Sequence, residues 1–123
     1  MKEQKMLYFM EQTDGLFNVL NDACAIPLEN FLGFQATGTE TTLAMNFKPM
    51  LNSGVDTANE IDVSIDVVTL TVDKNKHKEA IGQIWETING AANGSLIDIC
   101  DATNSIFASE YISGCAIALA VDA

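Results

Sequence analysis

Only one stretch of this chain sustains a helical period over several turns, and the rest has to be arranged around it. In HKEAIGQIWETINGAANG, from His77 to Gly94, the apolar residues Ala80, Ile81, Ile84, Trp85, Ile88, Ala91 and Ala92 recur at the i, i+3, i+4, i+7 spacing of one helix face. Lys78, Glu79, Gln83, Glu86 and Asn89 take the opposite side, so truncating Gln83 is expected to change little. Asp73 or Asn75 can cap the start, since a short side-chain oxygen accepts an otherwise unpaired backbone N–H. Gly90 and Asn93-Gly94 offer two stops; the second is better, because both of its residues tolerate a left-handed backbone. The expected helix spans about residues 75–92.

A single amphipathic helix needs a sheet to cover. The segment before it, IDVSIDVVTLTV, supplies part of one as a long strand from Ile61 to Val72. Its apolar set changes phase: Ile61, Val63, Ile65 and Val67 alternate first, then Val68, Leu70 and Val72. A shift of one residue moves the apolar set to the other face, so a bulge or bend near Val67 is expected. Asp62, Ser64 and Asp66 would then face solvent or a partner.

Earlier in the chain, Met6 to Met10 (MLYFM) is apolar on both alternating faces, as in a strand covered on both sides. Leu16 to Cys24 has helical spacing but is short, so a brief helix or ordered loop is expected. Pro27 keeps Ala25-Ile26 extended. Phe31 to Gln35 forms a strand, Ala36 to Glu40 a turn, and Leu43, Met45 and Phe47 the buried side of another strand. Pro49 to Asn59 reads as a polar loop. After the helix come a strand at Leu96–Cys100, a turn at Asp101–Asn104, and a last strand. One face of that strand carries Cys115, Ile117, Leu119 and Val121; the other carries Ala116, Ala118 and Ala120, which would let another backbone come close. Several strands, one main helix and two more strands define an α+β domain, with mostly antiparallel sheet covered by that helix. A chain of 123 residues supports a single domain, 1–123.

Charge excludes whole classes of partner. The net charge is −11 and there is no arginine, whereas nucleic-acid binding needs cations on the phosphates. Anionic membranes are disfavoured for the same reason, and the longest late apolar run, CAIALAV, is far too short to span a bilayer. The N-terminus is not expected to be a signal peptide, because Glu3, Glu11 and Asp14 bracket a short apolar run. Cys24, Cys100 and Cys115 are widely spaced and form no C-x-x-C pair, so buried, reduced thiols are expected.

No catalytic grammar emerges. His77 lies between two lysines with no nucleophile or carboxylate beside it in sequence, and reads as a solvated turn residue. Phosphate-loop, nucleophile-elbow and zinc-protease patterns are missing. Asp98 with Asp101, and Asp56, Glu60, Asp62 and Asp66, lack the interleaved glycine and terminal glutamate of a calcium loop. Hence neither catalytic residues, cofactor nor metal is expected. Lys74, Lys76 and Lys78 are half of the six basic residues and stand where a helix dipole disfavours them. They suit a solvated turn or a contact with an acidic surface, such as that around Asp62 and Asp66 in another copy.

Three runs together carry a resemblance: FLGFQATGTETTLAMNFKP, VVTLTVDKNKHKEAIGQIWETING and SLIDICDATNSIFASEYISGCAIAL. Over roughly residues 29–119 the chain resembles small virion structural proteins of tailed phages of marine bacteria. That family shows a Thr-Thr-Leu-x-Leu-x-Phe-Lys strand, a TLT…KHKE strand-to-helix junction and an INxxxxG helix end. The resemblance implies a non-enzymatic capsid decoration or cement protein, assembled in the host cytoplasm and carried in the virion. Its partners would be other copies of itself and a major capsid protein. A neck or tail component, such as a tail-terminator-like ring subunit, is the alternative within the same world. A small-ligand-binding domain or an enzyme with a dispersed site is the alternative outside it.

Overall fold

A computed structural model describes residues 5–11, 22–49 and 65–118. In chain order these form β1 (Met6–Met10), β2 (Ala23–Pro27), a 3-10 turn (Leu28–Asn30), β3 (Phe31–Ala36) and β4 (Thr42–Phe47). Then follow β5 (Asp66–Val72), α1 (His77–Gly90), β6 (Leu96–Asp101), β7 (Ile106–Phe107) and β8 (Ile112–Ala118). The strands make two four-stranded sheets, ordered β2-β1-β6-β7 and β3-β4-β5-β8. Every pairing is antiparallel except β1 with β6. The α+β expectation holds: mostly antiparallel sheet with one main helix.

The doubly apolar MLYFM run becomes β1, an inner strand between β2 and β6, with Leu7, Phe9 and Met10 buried. Cys24 belongs to β2, opposite Phe9, and not to a short helix; residues 12–21 lie outside the described residues. Leu43, Met45 and Phe47 of β4 join Val68, Leu70 and Val72 of β5 in the core, as their alternation requires.

The expected bulge near Val67 is not there. β5 runs in unbroken register with β4 from Asp66 to Thr71, and the irregularity against β8 lies between Thr71 and Val72, where Ser113 is the extra residue. Asp66 therefore stays in phase with Val68 and Leu70, opposite Phe47, and is fully buried. Its carboxylate is directed into the core and not toward solvent. The earlier half of the expected strand, Asp62 included, lies outside the described residues.

Helix α1 buries Ala80, Ile84 and Ile88 in the common core, with Ile81 half-buried beside them. Trp85 lies at the margin of that face, 45% exposed, with its ring centroid 6.5 Å from that of Phe31. Neither Asp73 nor Asn75 caps the helix: Lys76 holds the cap position without a side-chain bond. Asn75 instead adopts a left-handed φ of 61° in the preceding turn, where its N–H donates to the Glu40 carbonyl at 2.9 Å. The helix stops at Gly90 rather than at Asn93-Gly94. There Lys5 Nζ donates to the Ile88 carbonyl at 2.7 Å, a cation placed at the negative end of the helix dipole. Gly94, with φ 82°, turns the chain into β6, whose ladder with β1 opens with Met6 N donating to Ser95 O at 2.9 Å.

Three strands, not two, follow the helix, because the short β7 pairs back on Cys100 and Asp101. The Asp101 carboxylate holds the intervening turn by accepting from the Asn104 N–H at 3.3 Å and from its Nδ2 at 2.9 Å. Gln83, expected to be a dispensable surface residue, fastens the loop between β7 and β8. Its Oε1 accepts from Ser109 Oγ at 2.5 Å and from the Glu110 N–H at 3.0 Å.

Candidate functional site

Strand register turns separate sequence fragments into one surface. Leu43 faces Leu70 and Met45 faces Val68 on the core side of β4 and β5, so their alternating neighbours must lie on the outer side. Cross-strand partners there fall into three rows. Gln35, Ala44, Thr69 and Ala116 make one row; Gly33, Asn46, Val67 and Ala118 a second; Thr42, Thr71 and Gly114 a third. No charged residue occurs among these, although the chain carries a net charge of −11. Ala44 is buried and Thr71, Ala116 and Ala118 are exposed, while Asn46 Nδ2 donates to Gln35 Oε1 at 3.0 Å across the face. Alternation in the last strand already marked Ala116 and Ala118 as a place for close approach. That Thr42, Thr69 and Thr71 continue the same face could not be read without the strand order.

The lysine turn stands at one end of this sheet. Lys74, Lys76 and Lys78 are all exposed. Lys74 Nζ lies 3.8 Å from Glu40 Oε1, and Lys76 Nζ lies 5.9 Å from the centroid of the Tyr111 ring. Asn75 Nδ2 donates to the same Glu40 oxygen at 3.2 Å, so the turn is held against the β3–β4 connection. The hydroxyls of Thr37, Thr39 and Thr42 hydrogen-bond to one another in that connection. Of the acidic residues expected to meet the lysines, Asp66 is inside the core, and Asp62 lies outside the described residues. His77 is no solvated turn residue, since its Nε2 is 2.8 Å from the Thr42 carbonyl oxygen. A carbonyl only accepts, so Nε2 carries the hydrogen, and the ring ties the start of α1 to β4.

The three cysteines, far apart in sequence, converge. Phe9 is in register with Cys24 on one side and with Cys100 on the other. Glu11, two residues further along, accepts from the Ile117 N–H at 2.7 Å and so draws β8, with Cys115, to the same place. All three are free thiols, Cys100 buried and the other two half-buried. Burial, followed by the nearby Cys115, Asp66 and Glu11, pushes the Cys24 thiol up to about 12. Cys115 is pushed well above the usual thiol range, first by a hydrogen bond with Cys100 and then by burial. Sequence spacing held no sign of this meeting, because it depends on how two sheets close on each other. Among the described residues no group of His, Cys, Asp and Glu is arranged to hold a metal ion.

No protein-family model, no curated protein and no solved structure matches this chain.

Proposed function

We propose that this protein is a non-enzymatic structural subunit of a phage virion, a decoration or cement protein that binds the outside of the capsid as a homo-oligomer. The observation that carries the reading is the uncharged outer face of the β3-β4-β5-β8 sheet on a chain of net charge −11. Like charges repel wherever two acidic copies meet, so the surface most favourable for association is one without charge. Threonine, alanine and glycine on a pleated face also permit close backbone approach. The lysine turn at the end of the sheet adds a local attraction to acidic surfaces, which a neighbouring copy or a capsid subunit can supply. Several polar side chains have partners within the fold: His77 binds Thr42, Gln83 binds Ser109, and Glu11 binds Ile117.

The test places charge on the neutral face. In the Thr71→Glu, Ala116→Glu variant both substitutions are at exposed positions, so the monomer should fold as before. Circular dichroism should be unchanged, while light-scattering mass falls and co-sedimentation with phage heads is lost. A variant that assembles and binds heads like the wild type would remove the support for this reading.

A further inference from the structure

We infer that Cys100 and Cys115 form an oxidisable dithiol, the site at which this fold can be closed by a disulfide between its two sheets. Cys100 belongs to β6 of one sheet and Cys115 to β8 of the other. β1 links those strands, touching each of them. β1 pairs with β6 through Phe9 and Cys100, and Glu11 at the end of β1 accepts the Ile117 N–H of β8 at 2.7 Å. Cys115 faces Leu70 on the core side of its sheet and packs against the buried cluster that contains Cys100, with a hydrogen bond between the two thiols. The inference is independent of the structural role proposed above.

The chemistry needs an oxidant, and a peroxide is small enough to reach a half-buried thiol. One sulfur of the pair, as its thiolate, attacks one peroxide oxygen, breaking the O–O bond to give a sulfenic acid and, after protonation of the leaving hydroxide, water. The other sulfur then displaces the sulfenic oxygen as a second water, and the S–S bond forms. In all, two thiols and one hydrogen peroxide give one disulfide and two waters. Burial and the Cys100 contact keep Cys115 protonated, so closure is slow at neutral pH and accelerates as the thiolate fraction rises. Cys24 lies next to the same cluster, yet its core-facing side belongs to β2, across Phe9 from Cys100. It remains the unpaired third thiol.

The experiment uses the folded full-length chain with stoichiometric hydrogen peroxide near the ordinary thiol pKa, about pH 8.5. Free thiols are then alkylated in denaturant, and the protein is digested without reduction and mapped by mass spectrometry. The expected result is the loss of two hydrogens per chain, one linked peptide pair containing Cys100 and Cys115, an alkylated Cys24, and a raised Tm that a reducing agent reverses. Cys24→Ser should give the same linked pair. Pairing through Cys24, a link between chains, sulfinic acid at Cys115 beside a free Cys100, or no loss of hydrogen would each overturn the inference.

Discussion

Gln83 Oε1 accepts the Ser109 hydroxyl at 2.5 Å, joining the outer side of the helix to the loop that leads into the last strand. The same oxygen takes the Glu110 N–H at 3.0 Å, and Ser109 Oγ in turn accepts the Tyr111 N–H at 3.1 Å. Thr87 Oγ1 bonds the Ala108 carbonyl at 3.2 Å one turn further along. A helix position that looks like solvent therefore organises a loop. Gln83→Ala leaves the buried Ser109 hydroxyl without this acceptor and should destabilise the protein by about 1–3 kcal/mol. Glu79→Ala, at an exposed position, should change stability little. Denaturant midpoints of the two variants measured together decide the matter; equal midpoints would show that the Gln83 network contributes nothing.

Ile84 is fully buried and Trp85, its neighbour, is almost half-exposed. Truncation of a buried aliphatic side chain removes its transfer energy and leaves a cavity, so Ile84→Ala should cost about 2–5 kcal/mol. Trp85→Ala should cost clearly less, despite the larger side chain, because much of the ring already meets water. Chemical denaturation of both variants is the check, and a larger loss for Trp85 would mean that the helix is rotated from the orientation described.

Cys24 supplies a pH dependence. Its thiol is held at about 12 by burial and by the nearby Cys115, Asp66 and Glu11, above its ordinary value of 9.0. The folded state therefore keeps a proton that the unfolded state releases. Stability from this group is complete below the unfolded pKa and falls as pH rises through the interval up to the folded one. Unfolding midpoints should decline on the alkaline side, and Cys24→Ala should flatten that decline relative to the wild type. An unchanged slope in the variant would assign the alkaline loss to other groups.

The lysine turn offers a test of recognition apart from folding. Lys74, Lys76 and Lys78 are exposed, and the Lys74–Glu40 pair is screened by solvent, so it contributes little to stability. Replacing all three by glutamate should leave circular dichroism and melting close to wild type while weakening capsid co-sedimentation. The effect should shrink with added salt, since exposed charges are screened within roughly 8 Å at physiological ionic strength. Normal binding by the triple variant would make the turn a solvated one and nothing more.

The helix, the β1, β4, β6 and β8 strands and the α+β class were legible in the sequence because they follow from local periodicity. Ala80, Ile84 and Ile88 repeat every four residues, and Leu43, Met45 and Phe47 every two, and no tertiary contact is needed to read either pattern. The helix end failed because two glycine stops were locally acceptable, and the Lys5 bond and the start of the β1–β6 ladder favour the first. Asp66 failed for a related reason. A carboxylate in an alternating strand looks solvent-facing until the register with Phe47 shows which side is the core. His77 and Gln83 look like solvent-facing residues in the sequence because the acceptors and donors they meet lie 35 and 26 residues away. Only the tertiary structure could gather Gln35, Ala44, Thr69 and Ala116 into one neutral row, or bring Cys24, Cys100 and Cys115 together. Periodicity states which side of each element seeks burial; which elements then become neighbours depends on strand order and on how the sheets close.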